Sequence, residues 1–302
     1  MSRGKGRPWL ARVAAPALLA LGSAVSCALA GDTPGASDAT SGNPGVREFF
    51  PEAGFYPLYI ADPLRPQSAM VLVWVPSSEI QDTGAARFAL RLGGQFPIVA
   101  FHPEGDSECG WQLDFEGGFS SHFDIGNSLD NVGWDGLFGL LLDYKPRPAL
   151  AFRFGTLHDS AHLGDEYIEH TGRQRVGYTR EEVVLGVSVR SSQRWRYYFE
   201  AGYQYGGKEF QEPLRAQAGV EYQGEQPWPG ARGGWYAALD MRAYEENDWH
   251  PRATAQLGIN VPTGRGHSLY RFALEGGTGR TVLGEFFTAS ETYFGVGWYF
   301  DF

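Results

Sequence analysis

Cysteine, lysine and long apolar runs are what this 302-residue sequence has least of. Its two cysteines are Cys27 and Cys109. The first thirty residues read as a secretory leader, with Arg3, Lys5, Arg7 and Arg12 ahead of the apolar "VAAPALLALGSAV" and a small-x-small cleavage site, "ALA", at 28–30. Cleavage there removes Cys27 and leaves Cys109 alone, which excludes an intramolecular disulfide. "AVSC" also allows a lipoprotein site at Cys27, for which Ala24 is a poor opening residue. The leader's apolar core is short and broken by Pro16, and no later stretch has eighteen consecutive apolar residues, so no transmembrane helix is expected. Three lysines face twenty-two arginines, and the net charge of −10 argues against a nucleic-acid partner.

Aromatics (15%) and glycines (41) are plentiful, the mixture of a many-stranded β protein with tight turns. After a polar linker over 31–46, period-two alternation recurs almost to the end. In "RWRYYFEAGYQY", Trp195, Tyr197, Phe199, Ala201 and Tyr203 share one face, with Arg196, Tyr198, Glu200 and Gln204 on the other. "PLRAQAGVEY", "GWYAALDMRAY" and "LYRFALEGG" repeat the pattern. Segments of about ten residues are the length a tilted strand needs to cross a bilayer. A soluble sandwich would alternate in the same way. The leader, the aromatics at the ends of the apolar faces and the final "ETYFGVGWYFDF" favour a membrane barrel. The last strand, with aromatics at every second place and a terminal Phe302, resembles the signal read by the barrel-assembly machinery.

The expected fold is therefore all-β, an antiparallel transmembrane β-barrel of about twelve strands over 69–302. A leader (1–30), a disordered linker (31–46) and an N-terminal extension (47–68) precede it. The Pro-rich "REFFPEAGFYPLYIADPLRP" either leads into the barrel or packs inside it. Expected strands lie near 69–76, 86–96, 110–120, 134–144, 148–160, 178–190, 194–206, 214–223, 232–244, 249–260, 267–279 and 289–302. Short turns such as "KPRP" (145–148), "SSQ" (191–193) and "PTGRG" (262–266) suit the periplasmic side. The inward faces carry arginines and carboxylates together, which burial requires to be paired, so the lumen is expected to be plugged rather than open. The bacterial outer membrane is the expected location and its lipid the expected partner. No nucleic acid is expected.

"LYIADPLRP" (58–66), "HDSAHLGDEY" (158–167), "YEENDWHP" (244–251), "GRTVLGEFF" (279–287) and "YFGVGWYFDF" (293–302) resemble a bacterial envelope family known as domain of unknown function 1207. The resemblance spans about 47–302. It implies an outer-membrane location and leaves activity open.

In "FRFGTLHDSAHLGDEY" (152–167), Phe152 and Phe154 must face lipid because Arg153 must not. Parity then turns Thr156, His158 and Ser160 outward as well, at the extracellular end. On the next strand Val183, Leu185, Val187 and Val189 set the outward face, which Glu181 shares. Counting from a Leu150–Val189 pair brings Glu181 close to His158. Serine, histidine and a carboxylate are the parts of an acyl-transfer site, with Ser160 as nucleophile, His158 as base and Glu181 holding the imidazole. The pair resembles outer-membrane phospholipase A, a twelve-stranded barrel with a lipid-facing His-x-Ser. Here Ala161-His162 stands where that enzyme has Asn-Gly, and Glu181 replaces its orienting amide. A separate reading makes His162, Asp165 and Glu166, with His170 nearby, ligands for a divalent cation such as calcium. The alternatives to a lipid acyl hydrolase are a structural or narrow-channel barrel, and a cation- or lipopolysaccharide-binding surface.

Overall fold

The computed structural model describes residues 45–104, 106–226, 233–264 and 268–302. The leader, Cys27 and all but the end of the linker lie outside them, as do Arg265 and Gly266 of the "PTGRG" turn. Twelve antiparallel strands close into one barrel: β2 (Ser68–Ser78), β3 (Ala86–His102), β4 (Gly110–Asp124), β5 (Asp130–Arg147), β6 (Leu150–Leu163), β7 (Thr179–Arg190), β8 (Trp195–Gly207), β9 (Leu214–Gln223), β10 (Trp235–Tyr244), β11 (Arg252–Pro262), β12 (Leu269–Arg280) and β13 (Ser290–Asp301). Each pairs with the next, and β13 pairs with β2 to close the ring. Closure leaves no sheet edge for lipid to desolvate. The outer wall is apolar and bare: Leu72, Leu185, Leu274 and Phe294 are each 61% exposed. Side chains of that kind spread around a closed wall fit a lipid surrounding and rule out the soluble sandwich.

Strands β4 and β5 outrun the expected lengths. Asp124 accepts from Gly126 N at 2.9 Å and from Gly84 N at 2.6 Å, which turns the chain only after 124. At the other end only residues 148 and 149 join β5 to β6. By the short-turn rule that end is periplasmic. The long connection 164–178 lies at the opposite end and carries the helix α1 (Asp165–Thr171). β6 runs into that helix through Gly164 alone. Gly164 has φ −63°, and it is glycine because a Cβ would stand 1.7 Å from the Asn131 carbonyl oxygen.

The first wall strand is split. The short strand β1 (Val46–Phe49) pairs with Val99–His102 on the same edge of β3 that β2 occupies at Ala86–Arg91. Between β1 and β2 the chain leaves the wall and crosses the lumen. Pro97 stands on the vacated stretch of β3, beside the register shift with β4 between Pro97 and Val99, the kind of irregularity at which a strand tolerates proline. A cavity of about 250 Å³ lies there, and the Phe302 ring stacks on Phe96 beside it at 5.6 Å.

The lumen segment is bonded to the barrel along its length. Phe55 N donates to Gln112 at 2.7 Å and Ile60 N to Glu221 at 2.9 Å. Arg196 donates to the carbonyl oxygens of Pro57 and Leu58, at 2.5 and 2.9 Å. Tyr59 stacks on Tyr198, 3.8 Å between centroids, and donates to Glu200 at 3.0 Å. Arg65 bridges Glu116 (3.0 Å) and Glu200, and Asp62 pairs with Arg242. The inward faces carry the expected arginines and carboxylates together, and Arg87, Arg91, Arg153, Arg215, Asp114 and Glu275 among them are buried. At the extracellular end Val132, Leu163, Tyr167, Leu283 and Phe286 pack into an apolar cap.

Two outcomes are expected. Arg65→Ala leaves Glu116 without its partner from the lumen segment and leaves Glu200 with Tyr59 alone from that segment. It should cost about 3–5 kcal/mol, read as a lower urea midpoint for the folded, heat-modifiable band on a gel. Planar-bilayer recordings of the wild-type barrel should show no conductance steps, because the lumen is filled from β1 to the cap.

Candidate active site

The candidate site is built by strand register. Leu150 pairs with Val189, and eight residues further on His158 pairs with Glu181 and Ser160 with Thr179. On β6 the odd residues Arg153, Leu157 and Ala161 are buried, whereas Phe152, Phe154 and Thr156 are exposed and His158 and Ser160 partly exposed. The histidine and the serine therefore share the outer wall, two residues and about 7 Å of strand apart.

His158 Nδ1 lies 2.5 Å from Glu181 Oε1, with side-chain exposures of 22% and 33%. The pair sits at a break in the ladder. Between Glu181 and Glu182 the β7–β8 register shifts, so that Glu182 faces Gln204 and Glu181 faces Gly206. Such a bulge re-aims the side chain beside it. Gly206 makes the room: a Cβ there would come within 3.1–3.2 Å of Glu181 Cγ and Cβ. On the other side of the histidine, Phe138 of β5 stacks on its ring at 4.5 Å. One carboxylate and one aromatic ring thus fix the imidazole edge and face. Ser160 is on the same face, but no hydrogen bond joins it to His158. Nucleophile–base hydrogen bonds commonly tighten only when substrate is bound.

The three residues read as metal ligands are not brought together. His162 faces outward and stacks on Trp134 at 4.0 Å. Asp165, in the first turn of α1, pairs with Arg175 at 2.9 Å, and Glu166 is exposed. Among the described residues no three histidines, cysteines or carboxylates gather in a metal-holding group. The donor set does not fit calcium.

Residues 46–302 match the family described as Protein of unknown function (DUF1207). The chain belongs to this family. No curated protein matches it in sequence. Among solved structures it is similar to outer membrane phospholipase A from Escherichia coli, at 12% identity and a TM-score of 0.55, over 80% of this chain and 93% of that one. It is also similar to the outer membrane phospholipase dimer of Salmonella typhi, solved with bound calcium, at 10% identity and a TM-score of 0.53, over 78% and 91%. At these identities the likeness is one of fold.

Gly136, Phe138, Gly206 and Glu285 escaped the sequence reading. Glu285 accepts from Val176 N and Gly177 N, at 2.7 and 2.8 Å, and so anchors the chain just ahead of β7. Gly136, Phe138 and Gly206 belong to no recognisable motif, and Glu285 lies in "GRTVLGEFF", which carries the family resemblance but assigns it no role. Only the strand register assigns Gly136 and Gly206 their neighbours.

The parity of β6 has a direct test. In a Cys109→Ser background, a cysteine replacing Ser160 should react with a maleimide in the folded barrel. One replacing the buried Ala161 should react only after unfolding. Equal labelling of both in the folded state contradicts the outward placement.

Proposed function

We propose that this barrel resides in the outer membrane as a lipid acyl-ester hydrolase, with Ser160, His158 and Glu181 as its catalytic set. The observation that carries the reading is the 2.5 Å contact between His158 Nδ1 and Glu181 on the lipid-facing wall, with a serine beside them on the same face. If Nδ1–H donates to Glu181, the Nε2 lone pair is left free to act as base. Ser160 Oγ attacks the ester carbonyl while its proton passes to Nε2. The alcohol half leaves as lysolipid, carrying that proton. Water then attacks the acyl-serine by the same route, the fatty acid departs and Ser160 is restored. Glu181 offsets the positive charge that the imidazole carries at each step.

The shared fold with a phospholipase is consistent with this chemistry, and so is the position of the site near the outer leaflet, where ester groups lie. The plugged lumen speaks against a channel, and the scattered His162, Asp165 and Glu166 speak against a cation-binding surface built on those residues. Export by the cleaved leader, and insertion by the barrel-assembly machinery through the strand ending at Phe302, belong to the same proposal.

The test is fatty-acid release from phospholipid in detergent micelles, with and without calcium. Wild-type protein should release fatty acid. Ser160→Ala should lower kcat by about 10³-fold or more, and Glu181→Gln by about 10²-fold. Release that persists undiminished in Ser160→Ala removes the assignment and leaves the non-enzymatic barrel as the better reading.

A further inference from the structure

Facing outward on β5, Trp134, Gly136 and Phe138 lie opposite His162, Ser160 and His158 on β6. The outer two pairs are stacked rings, at 4.0 and 4.5 Å and within 18° and 26° of parallel. The middle pair has a serine on one side and no side chain on the other. A notch therefore opens between the two ring stacks, with Gly136 as its floor and Ser160 Oγ at its side.

The fold does not demand glycine here. A Cβ on Gly139 or Gly155, on the same two strands, would meet backbone oxygens at 2.5 and 2.3 Å. At Gly136 it would meet only the Trp134 ring at 3.5 Å and Ser160 Oγ at 3.7 Å, ordinary contact distances, and the φ angle is not positive. The empty position is explained by neither close packing nor backbone strain. What it does is keep clear the space beside the serine hydroxyl. Trp134 leans over that space, its ring edge 3.5 Å from where a Cβ on Gly136 would stand.

We infer that this notch takes the first methylenes of an unbranched acyl chain and presents its ester carbonyl to Ser160, so that Gly136 and Trp134 select straight-chain acyl esters. The inference rests on the hydrolase reading. The notch is continuous with the lipid-facing wall, so a chain enters it from the bilayer without crossing water. Its rings offer apolar contact, and the two stacks that flank the glycine floor would crowd a substituent near the carbonyl. Glycerophospholipid chains meet that requirement, whereas acyl groups branched at the third carbon do not.

The test compares kcat/KM for dipalmitoyl and diphytanoyl phosphatidylcholine, which share the same main-chain length and differ in methyl branches beginning at the third carbon, in the same detergent. Wild-type protein should prefer the straight chain about tenfold or more. Trp134→Ala should shrink that ratio by relieving the branched substrate, and Gly136→Ala should lower the rate on the straight chain. A ratio near one in the wild type overturns the inference, and so does a large ratio that neither variant moves. Heat-modifiable gel migration reports folding of each variant, and Phe138→Ala stands in if Trp134→Ala does not fold. The two readings fail differently. Hydrolysis that survives Ser160→Ala removes the catalytic set itself. Hydrolysis lost in Ser160→Ala with no chain selection removes the notch alone.

Discussion

A guanidinium sealed inside a narrow barrel has to meet a carboxylate, and the rest of this structure follows from that requirement. Ten arginines are buried among the described residues. Arg153 is met by Asp143 at 2.8 Å and by Glu116, Arg91 by Glu275 at 2.8 Å, and Arg215 by Glu182 and Glu200 at 2.8 and 2.7 Å. Each partner comes from a different strand, so the pairs work only in one register. A slip of one residue would put arginines into lipid and leucines into the lumen. The lumen segment completes the scheme: Arg65 adds a second guanidinium to Glu116 and to Glu200, and Asp62 supplies the carboxylate that pairs with Arg242. That is a reason for the first wall strand to be split, since residues kept in the wall could not reach the centre.

The same constraint made most of the fold legible in the sequence. A lone Arg153 between Phe152 and Phe154 fixes which face of β6 meets lipid, and the parity carries ten residues further without loss. Counting from Leu150 and Val189, both apolar and both near a short turn, brings His158 to Glu181, the pairing that the register contains. Period two is an error-free ruler as long as no residue is inserted. Where the register does shift, beside Glu181 and Glu182, the extra residue is Tyr205 on β8, so the count between β6 and β7 is untouched.

What could not be read has a common cause. Gly136, Gly206 and Gly164 matter through what they leave out, and an absent side chain has no pattern until its neighbours are known. The split first strand was half visible. Pro-rich character kept 47–66 out of the strand count, but the four residues that return to the wall as β1 carry too little alternation to be distinguished from a linker. The helix α1 is seven residues long, below the length at which periodicity separates a helix from a polar loop.

The interior and the outer wall divide the work between them. An interior filled with paired charges is rigid and closed, and its partners hold both β6 and β7 by their inward residues: Arg153 on one, Glu182 on the other. The outward residues of those same strands are then positioned without contributing to stability themselves. His158, Ser160 and Glu181 need no lumen, no pore and no mobile loop to be brought together. They need only that the residues between them be held from inside. A barrel that shuts its own lumen gives up transport along its axis, and in doing so it fixes a two-dimensional surface facing the lipid. That surface is where the rigidity of the interior is directed, and it is strand register rather than a loop that sets the histidine, the serine and the glutamate side by side on it.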